Sequence, residues 1–243
     1  MGLVYNNILA SIAQREKGLA VLIDPDKAIL KDLPEFLKKL HHSIATHIFV
    51  GGSTVDDAAT QILVNELKNL TKLPVVLFPG DITQITNQAD ALLFLSLLSG
   101  DNPEYLIGQH VKAASKLRVS PLEVIPTGYI LIENGKPTSV QRVTQTHPIP
   151  REDQQRIRDT AKAGELLGMK LIYLEAGSGA LHPVPHEIIS FVKKDLNIPL
   201  IVGGGIRSIQ QLDEAYDAGA DLVVIGTAFE EDTSFFEHLK TSK

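Results

Sequence analysis

Two glycine turns near the C-terminal end of the sequence have the pattern of a phosphate-binding site. The first reads Gly203-Gly204-Gly205-Ile206-Arg207 after a short β-branched run, and Ser208 then stands where a helix N-cap is expected. Three glycines let the backbone turn tightly and approach a ligand closely, and a helix N-terminus offers free N–H groups to an anion. A tight strand-to-helix turn without a ligand is the alternative interpretation.

The second turn, Gly226-Thr227, follows the apolar run Leu222–Ile225, roughly one strand–helix unit further along the chain. Barrel enzymes commonly build a phosphate site from the loops after their last two strands. We therefore predict that backbone groups of Gly204, Gly205 and the Gly226-Thr227 pair hold a phosphate.

Carboxylates and hydroxyls follow several other apolar runs. Asp24 ends the first run, Ser53 closely follows the second, and Glu175 and Ser178 follow the sixth. The carboxyl ends of barrel strands meet at one face, so we expect these groups to converge there. Carboxylate and hydroxyl oxygens suit Mg²⁺, which completes its shell with phosphate oxygens and water. Structural roles are the alternatives: Asp24 as a turn residue before Pro25, Ser53 as a helix cap, and Glu175 in an ion pair.

The elements that position these groups are eight short apolar runs alternating with amphipathic segments. Strands that are apolar on both faces are typical of a covered parallel sheet, so the fold class is α/β and the architecture a (β/α)8 TIM barrel. One domain is expected over residues 1–243. The Ile82–Asp90 connection is too short and polar for a packed helix, so we expect a loop or single turn in place of the third barrel helix. Thr127–Val143 is interpreted as an inserted hairpin turning at Glu133–Lys136.

The composition narrows the class of protein. The chain has 243 residues, 44% of them hydrophobic, and a formal net charge of −6, which argues against a general nucleic-acid binder. It has no cysteine, so disulfides and thiolate chemistry are excluded. The first residues lack the charged-then-apolar order of a signal peptide, and no run is long enough for a membrane span. A cytoplasmic enzyme is expected.

The run Tyr173–Ala180, which reads YLEAGSGA, resembles a signature of the geranylgeranylglyceryl phosphate synthase family, which includes the PcrB-type bacterial enzymes. Four further stretches match the family's other signatures in the same order: Leu22–Lys27, Val50–Ser53, Phe78–Gly80 and Val202–Arg207. The resemblance spans nearly the whole chain. The YLEAGSGA run is specific, whereas many phosphate-binding barrels share the glycine turns.

Two other segments, Pro103–Gly108 and the insertion near Tyr129, resemble the second of the family's two groups. The family also lacks the third barrel helix, in agreement with the short connection after the third strand. One departure concerns Thr227, where many members have Asn. Threonine still offers a hydroxyl and a backbone N–H to a phosphate.

The resemblance implies a prenyl transfer in which sn-glycerol 1-phosphate attacks C1 of a polyprenyl diphosphate, geranylgeranyl diphosphate being expected, with Mg²⁺ as cofactor. It implies metal ligation by Asp24 and Ser53, general-base or hydrogen-bond-acceptor action by Glu175, and a substrate hydrogen bond from Tyr173, for which a core aromatic is the alternative. A homodimer or homohexamer is also implied. The glycerol 1-phosphate site implied by the resemblance comprises Tyr173, Leu174, Glu175, Ala176, Gly177, Ser178, Gly179, Gly204, Gly205, Gly226 and Thr227.

The prenyl tail requires an apolar trough, and Gly80–Leu98 is the candidate because a missing helix leaves a groove in the barrel wall. Two alternatives stay open at this point. One is a sugar-phosphate or indole-pathway barrel that uses the same phosphate site. The other is a non-catalytic phospho-ligand binder, although a pure binder has no need of acids at the ends of strands such as those at Asp24 and Glu175.

Overall fold

The structure is a computed structural model that describes residues 2–56, 58–226 and 239. Eight parallel strands form a closed barrel in which each strand pairs with the next along the chain and the last pairs with the first. This confirms the predicted (β/α)8 barrel. The strands are β1 (Gly18–Ile23), β2 (His47–Val50), β3 (Val75–Leu77), β4 (Ala91–Leu97), β5 (Glu123–Leu131), β6 (Leu171–Glu175), β7 (Leu200–Gly203) and β8 (Leu222–Ile225).

Most helices form an outer layer, and their apolar sides pack on the strands. Their bounds are α1 (Leu3–Ala13), α2 (Leu33–His41), α3 (Ala59–Leu70), α4 (Gln109–Leu117), α5 (Ser139–Thr144), α6 (Gln154–Leu166), α7 (His186–Lys193) and α8 (Ile209–Asp217). None of the described helices is long and apolar enough to cross a membrane.

The strands are buried on both faces because alternate side chains point to two separate apolar clusters. On β6, Leu171 and Tyr173 belong to the cluster inside the barrel, whereas Ile172 and Leu174 belong to the cluster between the strands and the helices. This explains the continuous apolar runs in the sequence.

Helix α1 packs against the interior cluster and precedes the first strand, so it is not one of the repeating barrel helices. Its residues Val4, Tyr5 and Ile8 are buried within that cluster. The Glu123 carboxylate at the start of β5 accepts hydrogen bonds from the Val4 N–H at 2.7 Å and the Tyr5 N–H at 3.1 Å. These N–H groups lie in the first turn, where a helix has no carbonyl partners for them. Glu123 therefore anchors α1 to the barrel.

The third barrel helix is replaced by a single turn, as the sequence predicts. Between β3 and β4 the chain forms one 3₁₀ turn at Ile82–Gln84. Asp81 starts this turn, its carboxylate accepting a hydrogen bond from the Thr83 N–H at 2.7 Å. A single turn therefore occupies the place beside β4 where a barrel helix would otherwise pack.

The predicted hairpin after the fifth strand is wrong. Strand β5 runs without interruption to Leu131, pairing with β4 and β6 on its two sides, and the following segment forms α5 instead of a return strand. Thr138 and Gln141 begin this helix with a reciprocal capping box. Asn134, which the hairpin interpretation placed at the turn, is buried and donates a hydrogen bond to the Ala176 carbonyl. The insertion thus packs on the loop after β6.

Candidate active site

A cavity of about 330 Å³ opens at the carboxyl ends of the strands. Residues from the loops after β1, β2, β3, β6, β7 and β8 line it, so the structure brings the sequence-predicted groups to one place, as barrel geometry requires. The predicted site residues that line the cavity are Asp24, Ser53, Tyr173, Glu175, Gly177, Ser178, Gly179, Gly204, Gly205 and Gly226.

Three residues of the predicted set are not among those that line the cavity. The side chains of Leu174 and Ala176 lie in the outer apolar cluster, away from the cavity. The Ala176 backbone is engaged within the protein, because its N–H donates to the Gly203 carbonyl at 3.0 Å. Thr227 lies outside the described residues.

Glu175 ends β6 and is 5% exposed. Its Oε1 accepts a hydrogen bond from the Gly177 N–H at 2.6 Å, which fixes the carboxylate at the mouth of the barrel. Burial raises the pKa of Glu175 to about 7, against the opposing effects of the Gly177 N–H and the Tyr173 hydroxyl. A carboxylate with a pKa near neutral can exchange a proton at physiological pH, which is the property a general base needs.

Tyr173 lies two residues before Glu175 on the same inward face of β6 and is fully buried. Its hydroxyl is near enough to the Glu175 carboxylate to lower the pKa of that acid, but it makes no hydrogen bond of good geometry within the described residues. A buried hydroxyl without a partner is costly unless a ligand supplies one. Burial, together with the negative charge of Glu175, raises the pKa of Tyr173 well above its ordinary value, so the phenol stays protonated as a donor.

Two aromatic rings pack against the ring of Tyr173. Phe78, after β3, stacks on Tyr173 with ring centroids 5.3 Å apart, and Tyr129 of β5 meets Tyr173 edge to face at 5.4 Å. Tyr129 is directly opposite Tyr173 in the β5–β6 register. The three rings present aromatic edges and faces to the cavity beside Glu175.

Sequence reasoning missed Tyr129 because the hairpin interpretation moved it out of the barrel. Interpreting Glu123–Leu131 as one strand, with every second residue pointing inward, would have found it. Ile125, Tyr129 and Leu131 share that inward face.

The loops after β6 and β7 depend on glycine for their backbone conformation. Gly177, Gly179, Gly204 and Gly205 have positive φ angles of 100°, 64°, 85° and 75°, a backbone conformation that favours glycine. A Cβ atom at Gly204 would also lie 2.6 Å from the Gly177 nitrogen, so the loops after β6 and β7 are in direct backbone contact. These glycines form a cradle in which there is no room for a side chain at Gly177 or Gly204.

Asp24 and Ser53 line the same cavity from the loops after β1 and β2. The Asp24 side chain is 23% exposed; its Oδ1 accepts a hydrogen bond from the Asp26 N–H at 3.2 Å, and its Oδ2 lies 3.5 Å from the Lys27 ammonium nitrogen. The alternative interpretation of Ser53 as a helix cap is wrong, because helix α3 begins only at Ala59. The cap alternative for Ser53 therefore does not apply.

The cavity continues along an apolar path beside β4, where the third helix is absent. Side chains in and just after the 3₁₀ turn, in β4, in the segment leading into α4 and in α4 itself line it: Ile82, Ile85, Phe94, Leu95, Tyr105 and Ala113. Tyr105 lies in the π-helical turn Glu104–Gly108, and its hydroxyl donates a hydrogen bond to the Val143 carbonyl at the end of α5. Helix α5 also contributes lining residues, so the insertion covers part of the opening.

Comparison with known proteins shows the family of this chain. The model of the PcrB family matches residues 12–242. Geranylgeranylglyceryl phosphate synthase of Flavobacterium johnsoniae is 55% identical over 234 residues, covering 96% of each chain, and that of Methanosphaera stadtmanae is 39% identical with the same coverage.

Solved structures agree as well. The crystal structure of (S)-3-O-geranylgeranylglyceryl phosphate synthase from Thermoplasma acidophilum, in complex with its substrate sn-glycerol-1-phosphate, superposes with a TM-score of 0.91 at 34% identity, covering 98% of this chain and 96% of that one. A wild-type GGGPS from Thermoplasma volcanium gives a TM-score of 0.90 at 35% identity, covering 98% of this chain and 95% of the other.

These matches favour the leading interpretation over a sugar-phosphate or indole-pathway barrel and over a non-catalytic binder. The match extends over nearly the whole length of this chain and of its relatives. The chain therefore belongs to the PcrB family, and it is a prenyltransferase.

Proposed function

We propose that this enzyme joins geranylgeranyl diphosphate to sn-glycerol 1-phosphate with Mg²⁺ as cofactor, giving geranylgeranylglyceryl phosphate and diphosphate. The observation that carries the proposal is the position of Glu175. This buried carboxylate, with a pKa near 7, stands between a glycine cradle and a cavity that runs into an apolar groove. The names of the relatives, and the sn-glycerol-1-phosphate bound in one of them, support the same assignment.

The glycerol phosphate is assigned to the cradle formed by Gly177–Gly179, Gly204, Gly205 and Gly226. Four of these glycines have positive φ angles, a backbone conformation that can turn N–H groups toward an anion; the Gly177 N–H is itself engaged by Glu175. Thr227, the residue after Gly226 in the sequence, is proposed as a further phosphate contact. Leu174 and Ala176 contribute through the backbone that carries Tyr173, Glu175 and Gly177.

In the proposed reaction, the free primary hydroxyl of glycerol 1-phosphate attacks C1 of the prenyl diphosphate. The new C–O bond forms at C1 as the bond from C1 to the diphosphate oxygen breaks, and inorganic diphosphate leaves. The hydroxyl proton passes to the Glu175 carboxylate, whose pKa near 7 suits it to receive one. Tyr173 donates a hydrogen bond that holds the substrate, which would satisfy a hydroxyl that has no partner of good geometry among the described residues.

The aromatic rings beside Glu175 have a role in the same step. An allylic centre that loses diphosphate develops positive charge at C1, and the faces of aromatic rings attract cations. Phe78, Tyr129 and Tyr173 are grouped within 6 Å of one another by ring centroid, next to Glu175. We assign them to shielding the reacting carbon from water and stabilising its charge.

The diphosphate is assigned to Asp24 and Ser53. Among the described residues, no three His, Cys, Asp or Glu side chains cluster to enclose a metal ion. One carboxylate and one hydroxyl nevertheless fit Mg²⁺, which binds proteins through few ligands and fills its shell with phosphate oxygens and water. When bound, the ion would neutralise charge on the leaving diphosphate. Lys27, beside Asp24, provides a second cation at this end.

A product assay tests the proposal. Purified enzyme would be incubated with labelled sn-glycerol 1-phosphate and geranyl, farnesyl, geranylgeranyl or heptaprenyl diphosphate, with MgCl₂ or with a chelator. We expect a butanol-extractable labelled lipid that requires the metal and forms fastest from geranylgeranyl diphosphate. Absence of this product with every donor would overturn the proposed reaction. The cytoplasmic location and the homodimer or homohexamer stay predictions, to be checked by cell fractionation and light scattering.

A further inference from the structure

The 3₁₀ turn that replaces the third barrel helix contains a buried polar side chain, Gln84, which is 2% exposed. Its amide pairs with both backbone groups of one residue in a neighbouring loop. The Nε2 group donates to the Gly52 carbonyl at 2.8 Å, and the Gly52 N–H donates to Oε1 at 3.3 Å. A side-chain amide that offers a donor and an acceptor together can hold a loop as a neighbouring strand would.

Gly52 lies at the proposed diphosphate end of the cavity. A Cβ atom at residue 52 would be 3.1 Å from Asp24 Oδ1, so the loop backbone passes directly beside that carboxylate, and Ser53 is the next residue. On its other side the loop meets Gly80, where a Cβ atom would be 2.5 Å from the Gly52 carbonyl oxygen. The loop is therefore held between the segments that follow β1 and β3.

Helix α3 begins only at Ala59, so hydrogen bonds within that helix do not support Gly52 and Ser53. The backbone of Gly52 therefore depends on partners from outside its own segment. Gln84 supplies two hydrogen bonds from the turn whose neighbouring residues Ile82 and Ile85 line the apolar groove. One turn thus borders the groove and holds the loop that carries Ser53.

We infer that Gln84 is a positioning residue, which fixes Gly52 and Ser53 against Asp24 so that the diphosphate and metal end of the site is preformed. The inference rests on the proposed function for the identity of the ligand. Gln84 acts through the Gly52 backbone, and the expected consequence of losing it is weaker binding of the prenyl diphosphate and of Mg²⁺. The glycine cradle for glycerol phosphate is built from other loops and is left intact.

The test compares Gln84→Met, which keeps the side-chain length but removes both hydrogen bonds, with Gln88→Met as the matched control. Gln88 is in the same connection and exposed. For Gln84→Met we expect the KM for prenyl diphosphate and the half-saturating Mg²⁺ concentration to rise about tenfold, the loss of two neutral hydrogen bonds. The KM for glycerol 1-phosphate should stay within about twofold, and Gln88→Met should match the wild type.

Prenyl diphosphates of different chain length distinguish an effect on the diphosphate end from an effect on the prenyl tail. If Gln84 acts on the diphosphate end, the rise in KM is the same for geranyl and geranylgeranyl diphosphate, and the inhibition constant of inorganic diphosphate with Mg²⁺ rises in parallel. A rise that grows with tail length would instead assign Gln84 to the apolar groove and overturn the inference.

Hydrogen exchange gives a readout that does not depend on turnover. In Gln84→Met, a peptide covering residues 50–56 should exchange its amides faster, while a peptide covering β6 and the Gly177–Gly179 loop should be unchanged. Equal rises in the KM of both substrates, or an unchanged exchange rate at residues 50–56, would overturn the positioning role.

A second variant tests the inference in case Gln84→Met does not fold. Gln84→Asn is shorter by one methylene, keeps the polar group, and cannot reach both groups of Gly52, so the same selective rise in the KM for prenyl diphosphate is expected. A wild-type enzyme that forms no prenylated product would reject the proposed function instead, and the exchange measurement would still test the link between Gln84 and Gly52.

Discussion

Gly203 lies directly against Tyr173 at the top of the barrel. A Cβ atom at residue 203 would overlap the Tyr173 hydroxyl and lie 2.9 Å from Oε2 of Glu175. The first glycine of the phosphate turn therefore makes room for the two side chains assigned to catalysis. The next two, Gly204 and Gly205, provide the positive φ angles of the turn.

Gly203→Ala should therefore lower turnover about a hundredfold by displacing Tyr173 and Glu175, since misplacement by about 1 Å can have an effect of this size. The effect should be smaller in a Tyr173→Phe background, because the overlapping hydroxyl is gone. Steady-state kinetics would measure both. Gly18→Ala, where the added carbon meets only the Leu222 side chain at 3.1 Å, is the control. Equal losses in the two backgrounds would contradict the assigned relationship.

Glu175→Gln should lower kcat by about 10² to 10⁴-fold while the KM for glycerol phosphate changes little, because the amide cannot accept the hydroxyl proton. In the wild type, kcat should rise as pH increases through about 7, where the carboxyl group ionises. This rise should be absent from the variant. Glu187→Gln, whose carboxylate is 59% exposed, is the control. A pH profile that Glu175→Gln leaves unchanged would argue against the base.

Glu175→Gln should also stabilise the folded protein at alkaline pH. The pKa of Glu175 is raised in the folded state from 4.5 to about 7, so folding favours the protonated form. Its contribution to stability is complete below the unfolded pKa and is lost as pH rises through about 7. At about pH 8 the free energy of unfolding of Glu175→Gln should exceed that of the wild type by up to about 3 kcal/mol. Urea denaturation would measure the difference, and a less stable variant would contradict the burial of a charged carboxylate.

Asp24→Asn should keep the fold and lose most turnover. The asparagine oxygen can still accept the hydrogen bond from the Asp26 N–H, but it lacks the negative charge that attracts a divalent cation. The Mg²⁺ concentration needed for half-maximal activity should rise about tenfold or more. Asp32→Asn, at an exposed site before α2, is the control. An unchanged Mg²⁺ dependence would remove Asp24 from the metal site.

His47 should make the protein sensitive to acid. It is buried in β2, with Nδ1 2.8 Å from the Thr46 hydroxyl and with Nε2 lacking a hydrogen-bond partner in the described part of the chain. Burial lowers the pKa of His47 from 6.5 to about 4, so the unfolded chain binds a proton more tightly than the folded chain between these values. The free energy of unfolding should therefore fall by up to about 3 kcal/mol as pH drops from 6.5 to 4.

Denaturant titrations across that pH range would measure the loss. His47→Leu removes the titrating group and should flatten this part of the curve. His186→Leu, at an exposed histidine, is the control for loss of a histidine. A variant at His47 with the same acid sensitivity as the wild type would assign that sensitivity to other groups.

The sequence by itself determined the barrel and most of the residues at its mouth. Strands with two buried faces must be apolar at every position, so the runs ending at Asp24 and Glu175 could be recognised without neighbours in space. Barrel closure then places strand ends at one face whatever the details of the loops. The loss of the third barrel helix could also be predicted from the local sequence, because the connection after β3 is too short for a helix that packs on the barrel.

Tertiary structure decided the rest. Asn134-Gly135 is a typical hairpin turn, but β5 continues to Leu131 because β4 and β6 supply partners on both sides, and Asn134 is used to hold the Ala176 carbonyl. Neither those partners nor the burial that raises the pKa of Glu175 can be read from nearby residues, since both depend on chain segments far apart in sequence. The pairing of Gln84 with Gly52, across 32 residues, is of the same kind. Local sequence pattern determines most helices and strands. Contacts between distant segments determine the pKa of Glu175, the shape of the cavity and the extent of β5.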